Sequence, residues 1–151
     1  MNGFANTSTA TTDASPASEA SELVARGWTH LRSGSFFEVS HAVSAFSAAT
    51  AIDPGYAAAH AGLALAKLAQ ATLRAGAHVE AFADAKAAAL RALALDDQCA
   101  DAQVALGQLM LLSEWDWLAA ERSFQRALAI NPNHAEAYVH YGDLMEALGE
   151  L

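Results

Sequence analysis

A chain of 151 residues is long enough for one domain with a core of its own. Eight basic against seventeen acidic residues give a formal charge of −9, which opposes binding to a phosphate backbone and favours basic or apolar protein partners. The single cysteine, Cys99, excludes an internal disulfide and a multi-cysteine zinc site, and no apolar run approaches the roughly 18 residues of a membrane-spanning helix.

Residues 1–20 are Thr, Ser, Ala and Asn with few charges. They lack the basic start and apolar centre of a secretory signal, and the arginines of a transit peptide. They are predicted as a disordered tail, because they bury too little apolar surface to offset chain entropy. The domain proper is placed at 21–151. The absence of disulfides fits a cytoplasmic protein.

From there one phrase recurs. Ala48-Ala-Thr-Ala-Ile-Asp-Pro54 returns as Arg91-Ala-Leu-Ala-Leu-Asp-Asp97 and again as Arg126-Ala-Leu-Ala-Ile-Asn-Pro132. Each copy is followed by a second one: Ala59-His-Ala-Gly-Leu-Ala64, Ala102-Gln-Val-Ala-Leu-Gly107 and Ala137-Tyr-Val-His-Tyr-Gly142. A repeat of this length that encodes two helices is a solenoid. Apolar spacing predicts helices near 21–33, 38–52, 56–75, 79–95, 100–113, 117–130 and 134–149. Proline disfavours helix in the residue before it, so helices should stop near Asp53-Pro54 and Asn131-Pro132. Asp97 stands where the other copies have proline and is predicted to cap the next helix instead. Asn133 with Glu136 reads as a capping box. Strand signals are nearly absent.

These phrases resemble the tetratricopeptide repeat, a helical hairpin with glycine in its first helix, small residues and an aromatic in its second, then proline. The third repeat carries Leu106, Gly107, Ala120, Phe124, Ala127 and Pro132; the first carries Gly27, Ala42, Phe46, Ala49 and Pro54. In the second, Ala64 replaces the glycine, Ala89 the aromatic and Asp97 the proline. The resemblance implies an all-α, right-handed solenoid with repeats near 23–56, 57–99 and 100–134 and a half repeat at 135–151. It departs from the pattern in an insertion around Arg74 to Ala83. A narrower likeness, in Arg26-Gly-Trp28, Glu114-Trp-Asp-Trp117 and Ala119-Ala-Glu-Arg-Ser-Phe124, is to repeat regions of bacterial regulators joined to winged-helix, cyclase or Ser/Thr kinase domains. It implies a regulatory or sensory segment of a larger signalling protein.

Chemistry is sparse. The six histidines include His134 and His140 beside Glu136, but no His-Glu-x-x-His pattern exists, and they are read as surface or interface groups. No metal, cofactor or catalytic set is expected, and an enzyme is the least favoured reading. His60 is read as packing; His30 and His41 flank the first turn without an identifiable partner. Trp117 is expected to fill the core between two helices, with Trp115 covering the turn and Asp116 capping the helix that follows.

In a repeat of this type the first helices line a concave groove. Their inward positions include Leu65, then Asp101, Val104 and Gln108, then Glu136, Val139, His140 and Asp143. None is Lys, Arg or Asn, the set the family uses to clamp a terminal carboxylate. The expected function is therefore a non-enzymatic scaffold whose groove takes a protein or peptide with basic and small apolar residues. The last helix carries Tyr141, Leu144, Met145 and Leu148 on a stripe that lacks its expected partner helix. This face is predicted to pair with a second copy.

Overall fold

The computed structural model describes residues 15–74 and 79–149. Seven α-helices follow one another: α1 (Pro16–Ser33), α2 (Phe36–Ile52), α3 (Ala57–Leu73), α4 (Val79–Leu95), α5 (Ala100–Leu109), α6 (Trp117–Ile130) and α7 (Ala135–Leu148). A π-helical turn, Met110–Glu114, extends α5. Each hairpin packs on itself, as α1 on α2, α3 on α4 and α5 on α6, and each second helix packs on the first helix of the next hairpin. The first helices α1, α3, α5 and α7 also touch in series, so they form one continuous wall. Among the described residues there is no strand.

The first helix starts five residues before its predicted position. Ser15 accepts a hydrogen bond from the Ser18 amide at 3.2 Å, and Pro16 occupies the first turn. Ser-Pro at this point is a helix start. The serine- and alanine-rich composition suggests disorder through residue 20, yet Ala20 is fully buried. Residues 1–14 of the predicted tail lie outside the described residues.

The boundaries between hairpins share one device. The side chains of Asp53, Asp96 and Asn131 each accept from the amide two residues on, at 3.2, 3.0 and 3.1 Å. Their carbonyls accept from the amides of Tyr56, Cys99 and His134. These are Asx turns, which pin the chain locally without needing proline. Asp97 is therefore not the helix cap expected of it; Asp96 makes the turn and Cys99 is the N-cap residue. Asn133 likewise does not cap α7. His134 does, its Nδ1 accepting from the Ala137 amide at 3.2 Å. Of the predicted insertion, residues 79–83 form the start of α4, and 75–78 lie outside the described residues.

The core is built of small residues around two aromatic wedges. Ala42, Ala49, Ala64, Ala85, Ala89, Ala92, Ala120 and Ala127 are all fully buried, as are Phe46 and Phe124. Small contact residues let helix axes approach closely, and the wedges fill what remains. Glycine makes room for each ring. A Cβ on Gly107 would lie 2.5 Å from Cε1 of Phe124, and one on Gly62 only 2.2 Å from Cε1 of Phe46. Trp28 meets Phe46 edge-on at 5.6 Å. In the second hairpin, Ala64 and Ala89 replace the glycine and the ring.

Candidate functional site

The wall of first helices carries a hollow of about 490 Å³. Leu31 of α1, Leu65 and Leu68 of α3, and Leu111 and Leu112 of the π turn line its apolar end. Gln108 of α5 and Glu136, His140 and Asp143 of α7 line its polar end. The last three recur at intervals of three and four residues, which puts them on one helix face. Five predicted groove residues, Leu65, Gln108, Glu136, His140 and Asp143, thus meet in one place.

The other three lie elsewhere. Val104 is fully buried in the core cluster and offers no surface to a partner. Val139 is 58% exposed but does not line the hollow. Asp101 lines an adjoining recess with Trp28, Arg32, His134 and Glu136. There Asp101 accepts from Nε2 of His134 at 2.7 Å, across 33 residues of sequence. Because Nδ1 of His134 accepts from the Ala137 amide, its proton sits on Nε2, and one imidazole ties α7 to α5. Arg32, stacked over Trp28 at 5.9 Å, brings a basic group to the rim of this recess. The predicted groove positions, taken from α3, α5 and α7, include no lysine or arginine.

His140 is half-buried. Its Nε2 lies 2.7 Å from Nε2 of Gln108, and its ring stacks on Phe124 with centroids 6.1 Å apart and planes 21° apart. The Gln108 amide nitrogen is a donor, so the imidazole nitrogen facing it accepts and is unprotonated. Burial pushes the His140 pKa below the usual histidine value; Asp143 and Glu136 act in the opposite direction. Among the described residues, neither Glu136 nor Asp143 forms an ion pair with a basic side chain.

Among the described residues, His30, His41 and His60 make local structural contacts. His30 pairs with Glu38 across the first turn, with its ring 5.4 Å from that of His41. His60 bonds the Pro54 carbonyl at 2.9 Å. No group of three or more His, Cys, Asp or Glu among the described residues is placed to hold a metal ion. Burial, aided by Asp101 and Asp96, pushes the Cys99 thiol up, opposed by amide hydrogen bonds from Ala102 and Asp101. That suits an unreactive side chain.

Two apolar expectations change. Trp117 is 38% exposed and does not fill the core; Phe124 and Ala120 occupy the space between α5 and α6. Trp115 is 71% exposed and holds φ 55°, a backbone region costly for a bulky residue. Asp116 does cap α6, accepting from the Ala119 amide at 3.0 Å. On α7 the predicted pairing stripe splits. Leu144 is buried in the core cluster that contains Phe124, with Tyr141 and Met145 packed beside it. The Tyr141 hydroxyl is engaged by Gln125 and Glu121. Of the four, only Leu148 counts among the exposed large apolar side chains.

No protein-family model and no curated protein matches the chain. Solved structures do. A thermophilic TPR protein of Thermus thermophilus, TTC0263, superposes with a TM-score of 0.74 at 20% identity, over 87% of this chain and 66% of that one. The TPR domain of Arabidopsis OM64 gives 0.65 at 17% identity, over 87% and 98%. This chain has the tetratricopeptide-repeat fold. The second TPR domain of human RPAP3, solved in complex with the HSP70 peptide SGPTIEEVD, is also similar. It gives 0.60 at 19% identity, over 85% and 97%.

Proposed function

We propose that the chain is a non-enzymatic protein-interaction scaffold. Its concave groove holds an extended or helical partner segment with basic residues beside small apolar ones. The observation that carries this is the composition of the hollow: a leucine floor next to two carboxylates, Glu136 and Asp143, that form no ion pair with a basic side chain among the described residues. A lysine or arginine side chain has that same division, an apolar stem and a cationic head. The peptide in the human RPAP3 complex ends in acidic residues. The Glu136 and Asp143 end of this hollow repels such a sequence and attracts the opposite charge. The preformed wall of helices binds without much ordering cost on its own side.

The test is fluorescence anisotropy with two short labelled peptides, one alternating alanine and arginine, the other alanine and glutamate. The basic peptide should bind and the acidic one should not. The double variant Glu136→Lys, Asp143→Lys should lose the basic peptide while keeping its helical circular dichroism. Unchanged affinity in that variant would remove the groove from consideration.

A further inference from the structure

The scaffold reading leaves His140 without a task, although it stands between the two carboxylates that the reading relies on. We propose that His140 makes the groove's hold on a basic partner depend on pH. As the neutral imidazole it leaves Glu136 and Asp143 to the partner's cation, and as the imidazolium it competes for them. This inference rests on the groove reading above.

The geometry supports a neutral resting form. Gln108 donates to Nε2 of the ring, and the face of the ring lies on Phe124. Among the described residues, the groups around it are few. From its own helix come Glu136 and Asp143, and from α5 comes Gln108. From α6 comes Phe124, with Glu121 engaged by Tyr141. The lining from α3 and the π turn, Leu65, Leu68, Ala69, Thr72, Leu111 and Leu112, carries no titratable group. From α1, Leu31 lines the hollow and Arg32 the adjoining recess, next to Glu136. Asp101, the next carboxylate along the wall, is held by His134.

The sign follows. In the free protein, burial disfavours the imidazolium, and Asp143 and Glu136 partly offset that. A bound cation would take over those two carboxylates and withdraw the offset, so the complex binds protons less readily than the free protein. Association then expels a proton whenever His140 is charged, and affinity falls with acidification. One linked proton allows at most about tenfold per pH unit. Above the His140 transition the affinity is flat. Protonation also sets two donors face to face, so the Gln108 amide must turn to present its oxygen.

The experiment measures binding of the alanine–arginine peptide at pH 7.5 and pH 5.5. The wild-type chain should weaken about two- to tenfold at the lower pH, and His140→Gln should bind equally at both. His134→Gln, in the neighbouring recess, should keep the wild-type dependence. A companion measurement follows the His140 ring signals by NMR in the wild-type protein, where added peptide should lower the titration midpoint. A pH dependence retained by His140→Gln, or a midpoint unmoved by peptide, overturns the inference and leaves the groove reading standing. No binding at pH 7.5 overturns both.

Discussion

Replacing Gly107 by alanine should destabilise the fold, although alanine is ordinarily the better helix former by about 1 kcal/mol. The new Cβ would lie 2.5, 2.7 and 2.8 Å from three carbons of the Phe124 ring. Ordinary contact needs roughly 3.5–4.0 Å, so the ring or the helix must move by about 1 Å. The ring has nowhere to go: it is fully buried and stacked on His140. Overpacking of this kind costs about 1–3 kcal/mol, and subtracting the helix gain leaves a net loss of roughly 0–2 kcal/mol. Gly142, at the matching place in α7, has nothing within 4 Å of the point a methyl group would occupy. There the same change should stabilise by about 0.5–1 kcal/mol. Urea unfolding followed by circular dichroism, read as midpoints at unchanged m-value, measures both. If the two variants shift in the same direction, the wedge-and-socket account of the core is wrong.

Asp116→Ala removes the side-chain cap of α6 and should cost about 1 kcal/mol in the same unfolding assay, with Asp116→Asn close to wild type. Leu144→Ala should cost about 2–5 kcal/mol because the side chain is interior. By contrast, Leu148→Lys should stay within about 0.5 kcal/mol. A change in light scattering without a change in stability for the Leu144 variant would contradict that placement. Cys99 should react with iodoacetamide at pH 7 more slowly than free cysteine, and speed up as the pH rises. Mass spectrometry gives the rate, and alkylation as fast as the free amino acid would refute the protected thiol.

The hairpins are legible in the sequence because their packing is local: small residues and one aromatic recur at helical spacing, and Asx residues punctuate each copy. The groove is legible in part. Helical spacing shows which residues share a face, so Glu136, His140 and Asp143 emerge together. It does not show what lies across from them. Val104 differs from its true groove neighbours by a small rotation about α5, and Leu144 from Leu148 by one turn of α7. Their burial depends on the neighbouring helices, which spacing along one helix does not register. Arg32 reaches the recess from more than sixty residues away in sequence, and His134 reaches Asp101 across 33. The size of Trp117 suggests burial, whereas Phe124 already fills that space.

The paired sizes at successive hairpins also fix the order in which they can be joined. Phe46 of one hairpin is received by Gly62 of the next. The shared phrase places Ala105 at the same point one hairpin later, and His140 one after that. Ala89 accordingly faces the array with a methyl instead of a ring, and Phe124 lies flat on an imidazole. Excising α3 and α4 would therefore bring Ala105 against Phe46 and set a methyl group where only a hydrogen fits. The hairpins look alike in outline, yet they cannot be shuffled: each carries the mould of its predecessor, and the array can be assembled in one sequence only.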